Sequence, residues 1–354
     1  MKRIAVWLLV LVMLCGLCCT GCQPSRNDSA DGLRIVTTMF PINDWVTTLV
    51  EGASEQPTQV YTMMHNGTDL HNYQPTASDI IELAGCDLFI YVGGESDSWV
   101  KDVLVSANNP NMITLNLMEA LGSRAKVEET VEGMQGHEHI HEEGEHEEDH
   151  DHDHDHDHEA GSYDEHIWLS LQNAEVLCQA ITDKLCEIDP DRADTYRSNM
   201  EAYKIELTVL NGEYEAAVNQ ATTKTLLFAD RFPFRYLMDD YGLSYYAAFS
   251  GCSTETEAGF DTIRFLAGKV DALDLPCVMA LEGNRHDVAN AVIAATQSKD
   301  QKVLSMNSMQ AMSVDEINRT GATYLSIMRQ NLDVLKQALG VEIRSEISEA
   351  DTVL

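Results

Sequence analysis

Two periodicities alternate along this chain. From residue 33, apolar runs of strand length (33–38, 59–63, 88–92 and 112–116) are separated by segments with helical spacing (42–50, 78–83 and 99–107). Strand–helix–strand order predicts a parallel sheet covered by helices, because a parallel partner is reached only through a long crossover. The alternation returns later, with strands predicted at 225–229, 244–248, 277–281 and 302–304. Helices are predicted there at 262–270, 288–295 and 322–339. Between the two regions the pattern is helical only. Residues 173–187 form one predicted helix, and Asp189-Pro190 ends it and opens another. In that second helix Tyr196, Met200, Tyr203, Leu207, Leu210, Tyr214 and Ala217 recur at spacings of three and four. The result is one apolar stripe about 40 Å long at ~1.5 Å per residue. A helix of that length between two α/β regions reads as a rigid spine; a coiled-coil dimer would use the same stripe.

The expected fold is therefore α/β: two lobes, each a mainly parallel sheet flanked by helices, joined by the long helix. The first lobe spans 33–172, the linking helices 173–220 and the second lobe 221–354. Ahead of them, Lys2 and Arg3 precede an apolar run from Ile4 to Leu17, then small residues and Gly21-Cys22. Residues 1–22 thus read as a secretory signal of the bacterial lipoprotein type, with Cys22 lipidated after cleavage. The residue three before that cysteine is Cys19 rather than the usual leucine. The run is short for a membrane span, and 23–32 is a polar tether. The body of the protein is expected outside the cytoplasm, bound to the membrane by lipid.

Charge sharpens the picture. The 354 residues carry 58 acids against 23 bases, a formal charge of -35, which disfavours nucleic acid and anionic membrane as partners and favours cations. Nine of the 13 histidines lie between His137 and His158 among carboxylates, ending in four Asp-His repeats from Asp151. Residues 128–160 have too little apolar content for a core and are expected to form a disordered loop that handles metal. Of the cysteines beyond Cys22, an odd number (Cys86, Cys178, Cys186, Cys252 and Cys277) leaves disulfide pairing open.

Ligands of parallel sheets gather at the carboxyl ends of strands. His71 follows the second predicted strand, in a loop stiffened by Gly67, Asp69 and Pro75. His166 stands between the histidine tract and the next helix. Asp230 closes the strand at 225–229 and Glu282 the one at 277–281. Two histidines with one or two carboxylates supply a zinc or manganese site. His65 and His286 are read as bystanders. Cys252 is a soft ligand in principle, but burial or a disulfide is the reading given to it. No nucleophile–base pairing and no His-Glu-x-x-His helix is present, so binding is expected rather than catalysis.

These motifs resemble the zinc/manganese substrate-binding lipoproteins of ABC transporters over nearly the whole chain after Cys22. The resemblance rests on Gly-x-Asp-x-His-x-Tyr-x-Pro at 67–75, Tyr91-Val92-Gly93-Gly94 and Asp164-Glu165-His166-Ile167-Trp168-Leu169. Asp189-Pro190, Tyr241-Gly242-Leu243 and Gly321-Ala322-Thr323-Tyr324-Leu325 extend it, as does a histidine-rich loop before the second ligand histidine. It implies a single metal ion in a cleft between the lobes, a membrane permease as partner and a monomeric receptor. His71 and His166 match the first two family ligands. The family's third histidine is missing, since the chain reads Phe228-Ala229-Asp230-Arg231-Phe232-Pro233-Phe234. Asp230 is the expected substitute and Glu282 the expected carboxylate. Histidine richness favours Zn²⁺, and exchange of a histidine for a carboxylate leans back toward Mn²⁺. A metal-dependent hydrolase and a surface adhesin are the alternatives from other classes.

Overall fold

The computed structural model describes residues 32–53, 58–135, 162–255, 257–283 and 285–341. Cys22 and the repeats of the histidine tract lie outside the described residues. The first sheet holds β1 (Arg34–Thr37), β2 (Gln59–Thr62), β3 (Leu88–Tyr91) and β4 (Ile113–Asn116), in the order β2-β1-β3-β4 and parallel throughout. The second holds β5 (Thr225–Phe232), β6 (Ser244–Ser250), β7 (Cys277–Leu281) and β8 (Lys302–Met306), in the order β6-β5-β7-β8, again parallel. In each sheet the chain leaves the first strand toward one edge and returns to its other side. That reversal opens a crevice at the carboxyl ends of the strands.

Central strands with helices on both faces must be apolar along their whole length, as all five residues of β7 are, every one buried. The helix Ala193–Gln220 runs for 28 residues, about 42 Å at ~1.5 Å per residue. All seven residues of its apolar stripe are buried. They pack within the chain, against the helices Leu171–Ile188, Phe40–Val50 and Tyr324–Ala338. The stripe is thus consumed by the fold and supplies no coiled-coil seam. One hydrophobic cluster continues from Ile35 in the first lobe through this helix to Leu339, so the lobes share a core instead of meeting at a wet interface. No helix among the described residues is long and apolar enough to cross a membrane.

One segment departs from the expected division of the chain. Residues 128–135, assigned by pattern to the acidic loop of the first lobe, lie along the second lobe. Lys126 N donates to Tyr236 Oη at 2.9 Å and Gln135 N to the Ala248 carbonyl at 2.9 Å. Cross-chain partners hold the strap where side-chain polarity alone suggested a free loop. Its other end is tied back by Glu128 N to the Ser162 carbonyl at 2.7 Å.

Candidate metal centre

The loop after β2 is built to hold one imidazole still. Asp69 caps the short turn Leu70–Asn72, its Oδ1 accepting from His71 N at 3.0 Å. Tyr73 donates to the buried Asp79 carboxylate at 2.7 Å, anchoring the far side of the loop. His71 Nδ1 lies 2.8 Å from Ser96 Oγ, and Ser96 N in turn donates to Glu165 Oε1 at 2.8 Å. Gly94, at φ +87, is required there, because a Cβ would meet Glu165 Oε1 at 2.5 Å.

His166 is fully buried and held from three directions. Asp164 Oδ1 accepts from both His166 N at 2.9 Å and Nδ1 at 2.7 Å. A carboxylate can only accept, so the ring proton sits on Nδ1 and the lone pair on Nε2. The neighbouring Trp168 donates its indole N–H to the Ser308 carbonyl at 2.8 Å, and Tyr236 Oη donates to the Asp164 carbonyl at 2.9 Å. Two second-lobe elements thereby fix a first-lobe ligand segment.

With both Nδ1 atoms engaged, the two Nε2 atoms face each other at 3.3 Å. Two nitrogens at ~2.05 Å from one tetrahedral metal lie about 3.3 Å apart, so the pair is already spaced for a shared ion. The Gln310 amide nitrogen is 3.3 Å from His71 Nε2 and in contact with His166 Nε2, covering the open side of the pair. Burial, followed by the neighbouring His166, pushes the His71 pKa down to about 4, against the pull of Asp69. Its imidazole is therefore neutral near neutral pH, the form a metal takes.

The carboxylates expected as ligands stand elsewhere. Asp230 sits at a register shift in β5; its Oδ1 accepts from Arg231 N at 2.8 Å and its Oδ2 from Leu281 N at 3.1 Å. It replaces a lost backbone acceptor between β5 and β7 and is spent on the sheet. Glu282 grips Ser308, accepting from its N–H at 2.8 Å and its hydroxyl at 2.6 Å. Ser308 Oγ is 3.3 Å from Gln310 Oε1, which links Glu282 to the residue covering the histidine pair. Burial raises the Glu282 pKa above its ordinary value, opposed by the Ser308 hydrogen bonds. Arg231, next to Asp230, bridges the lobes with a 2.8 Å ion pair to Asp69. Burial works to raise the Asp69 carboxyl, and the hydrogen bond and charge of Arg231 outweigh it, leaving Asp69 below its ordinary value.

Among the described residues, one group of three donors brings its ligand atoms within 4.8 Å of one another: His71, His166 and Cys252. Cys252 carries a free thiol, so of the two readings given for it, burial or a disulfide, the second is removed. A signal for it existed in the sequence, since it follows the carboxyl end of β6 by two residues, on the same strand-end rule that selected Asp230 and Glu282. Gln310 had no such signal; it lies beyond the end of β8 in a loop without motif. His65 is exposed and outside the group.

Three kinds of likeness accompany this geometry. The chain is 29% identical over 349 residues to the zinc-binding lipoprotein AdcA of Streptococcus pneumoniae, covering 97% of itself and 62% of that relative. It therefore spans less than two thirds of that protein's length. It is 27% identical to the high-affinity zinc uptake system protein ZnuA of Bacillus subtilis, over 94% of itself and 95% of that protein. The crystal structure of the metal-dependent lipoprotein YcdH from Bacillus subtilis superposes with a TM-score of 0.67 at 23% identity, over 87% of this chain and all of that one. The periplasmic zinc-binding protein TroA of Treponema pallidum gives 0.67 at 20%, over 88% and 99%. These two likenesses speak for the fold. The family model described as zinc-uptake complex component A, periplasmic (ZnuA) matches residues 35–338, and the chain belongs to that family.

Proposed function

We propose that the chain is the extracytoplasmic receptor of an ABC transporter, capturing Zn²⁺ in the cleft and delivering it to a membrane permease. The observation that carries this reading is the facing pair of His71 and His166 Nε2 atoms, 3.3 Å apart with each Nδ1 already engaged. Family membership and the zinc-binding relatives support the same cargo. The site binds its ion and does not turn it over. The two Nε2 atoms meet the ion at the right spacing, as a binding site requires. Cys22 would anchor the monomeric receptor to the membrane through lipid. The histidine tract would exchange ions weakly with the cleft, since its strap begins on the second lobe against residues that border it.

Metal content after dialysis against equal zinc and manganese tests the reading on the full chain and on a form lacking 138–158. One zinc retained by both forms, and lost in His71→Ala and His166→Ala, is the expected result. Retention of manganese would change the cargo. Loss of all metal with the tract would remove the cleft site.

A further inference from the structure

We propose that Cys252 is the third metal donor of this cleft, its thiolate joining His71 and His166 in a two-nitrogen, one-sulfur site that selects zinc over manganese. The proposal rests on the reading of the two histidines as the metal pair and adds to it the donor that sets the cargo.

Placement comes first. Cys252 lies two residues past the end of β6, on the strand-end rim of the second sheet that faces the first-lobe histidines. Its sulfur and the two imidazoles already fall within 4.8 Å of one another. On a tetrahedral zinc with nitrogen at ~2.05 Å and sulfur at ~2.3 Å, a nitrogen–sulfur edge is about 3.6 Å. The three donors, within 4.8 Å of one another, must close toward that edge for one ion to take all of them.

The preceding residue shows that the approach is built. A Cβ on Gly251 would stand 2.8 Å from His166 Cε1 and 2.9 Å from the Phe232 carbonyl. Only glycine lets this turn lie flat against the ligand ring, and the next side chain is the thiol. The backbone there is pinned as well. Cys252 N donates to Glu128 Oε1 at 3.1 Å, and Ser253 N to the Ser250 carbonyl at 3.3 Å. Burial first, and then the charges of Glu128, Glu165 and Asp164, push the Cys252 thiol above its ordinary range, so the metal itself must displace the thiol proton.

Chemistry decides the consequence. Asp230 and Glu282 each accept hydrogen bonds from backbone and serine donors, and neither belongs to the group of donors that brings Cys252 to the histidines. Imidazole and thiolate together favour zinc. On binding, the sulfur–hydrogen bond is replaced by a sulfur–metal bond; the electron pair stays with sulfur and the proton leaves to the buffer. Gln310 closes the remaining side.

The full chain, reduced and stripped of metal, is loaded with Co²⁺ and its absorption recorded. The expected spectrum combines visible ligand-field bands with a near-ultraviolet thiolate-to-cobalt charge-transfer band. Cys252→Ser should abolish the charge-transfer band, keep one cobalt held by the histidines, and weaken zinc binding on the order of a hundredfold relative to manganese. Cys252→His should keep the ion tightly without the band. One cobalt lost in His71→Ala but carrying no thiolate band overturns the proposal and leaves the receptor reading intact. A band that survives Cys252→Ser assigns the sulfur to another cysteine and also overturns it. No cobalt in the cleft, or cobalt indifferent to His71→Ala, removes both. The wild-type spectrum without a thiolate band overturns the proposal on its own, and Cys252→Ser and Cys252→His together assign a band that is present.

Discussion

In the first lobe, the residues that leave the strand ends are aimed outward: His71 after β2 and His166 before the helix Leu171–Ile188, each ring steered by a hydrogen bond at Nδ1. In the second lobe, with the same strand order and direction, the strand-end carboxylates turn inward. Asp230 feeds an N–H of β7, and Glu282 clamps the Ser308 turn. The same topology therefore carries opposite assignments for its end residues. What separates them is the supply of backbone donors. β5 pairs with β7 at Phe228 and Met279, and beyond that point the Leu281 N–H of β7 takes the Asp230 carboxylate as its acceptor. Where the ladder is regular, as in β1 with β2, the side chains that follow are free for a ligand.

That contrast breaks most sharply at the histidines. His166→Ala should abolish tight metal binding in equilibrium dialysis, since half of the facing nitrogen pair is gone; Asp230→Ala should retain one ion. Metal lost from both variants alike would erase the distinction between the lobes. A smaller effect is expected from Gly251→Ala, whose Cβ forces the His166 ring or its own loop aside. Zinc affinity by competition with a chelator should fall about tenfold to a hundredfold, as when ligand-orienting contacts are removed. Unchanged affinity would mean that the turn yields freely.

Asp230→Ala should instead appear in stability. It leaves the Leu281 N–H without its acceptor, a loss of about 1–3 kcal/mol in denaturant unfolding, and Asp230→Asn should recover much of it. Full stability in the alanine variant would free Asp230 for another role. The smallest effect lies far from the cleft. Burial, against a hydrogen bond from Tyr324 N, raises the Asp44 pKa from 3.8 to about 6. A raised folded-state pKa gives stability that is present below the unfolded value and lost as pH rises through the folded one. Asp44 thus disfavours the folded state above about pH 6. Asp44→Asn should flatten the pH dependence of the unfolding free energy between about pH 4 and about pH 7, by roughly 1 kcal/mol after allowance for partial solvent contact. An unaltered pH profile would place the cost elsewhere.

Much of this molecule was legible in order of residues. Alternating periodicity gave eight strands in two parallel sets, and the stripe from Tyr196 to Ala217 gave the spine, because burial on a helix or strand imposes a period on the chain. The motifs around His71 and His166 were readable because an aspartate two residues before each histidine accepts from its backbone N–H, although the His71 ring itself is steered by Ser96, 25 residues on.

Asp230, Glu282 and Cys252 were not separable in that way. All three stand at or just past strand ends, and each is chemically able to bind a metal. Which of them faces the ion depends on a register shift in β5, on the Ser308 turn and on the space left by Gly251. Each of those is a contact between residues distant along the chain. The strap at 126–135 follows the same rule, polar in sequence but held by Tyr236 and Ala248 more than a hundred residues on. Sequence by itself determined the elements, the two-lobed frame and the histidine pair, since these follow from local period and local hydrogen bonds. Only the tertiary structure showed which strand-end donor lies beside the pair, because that depends on contacts between residues distant along the chain.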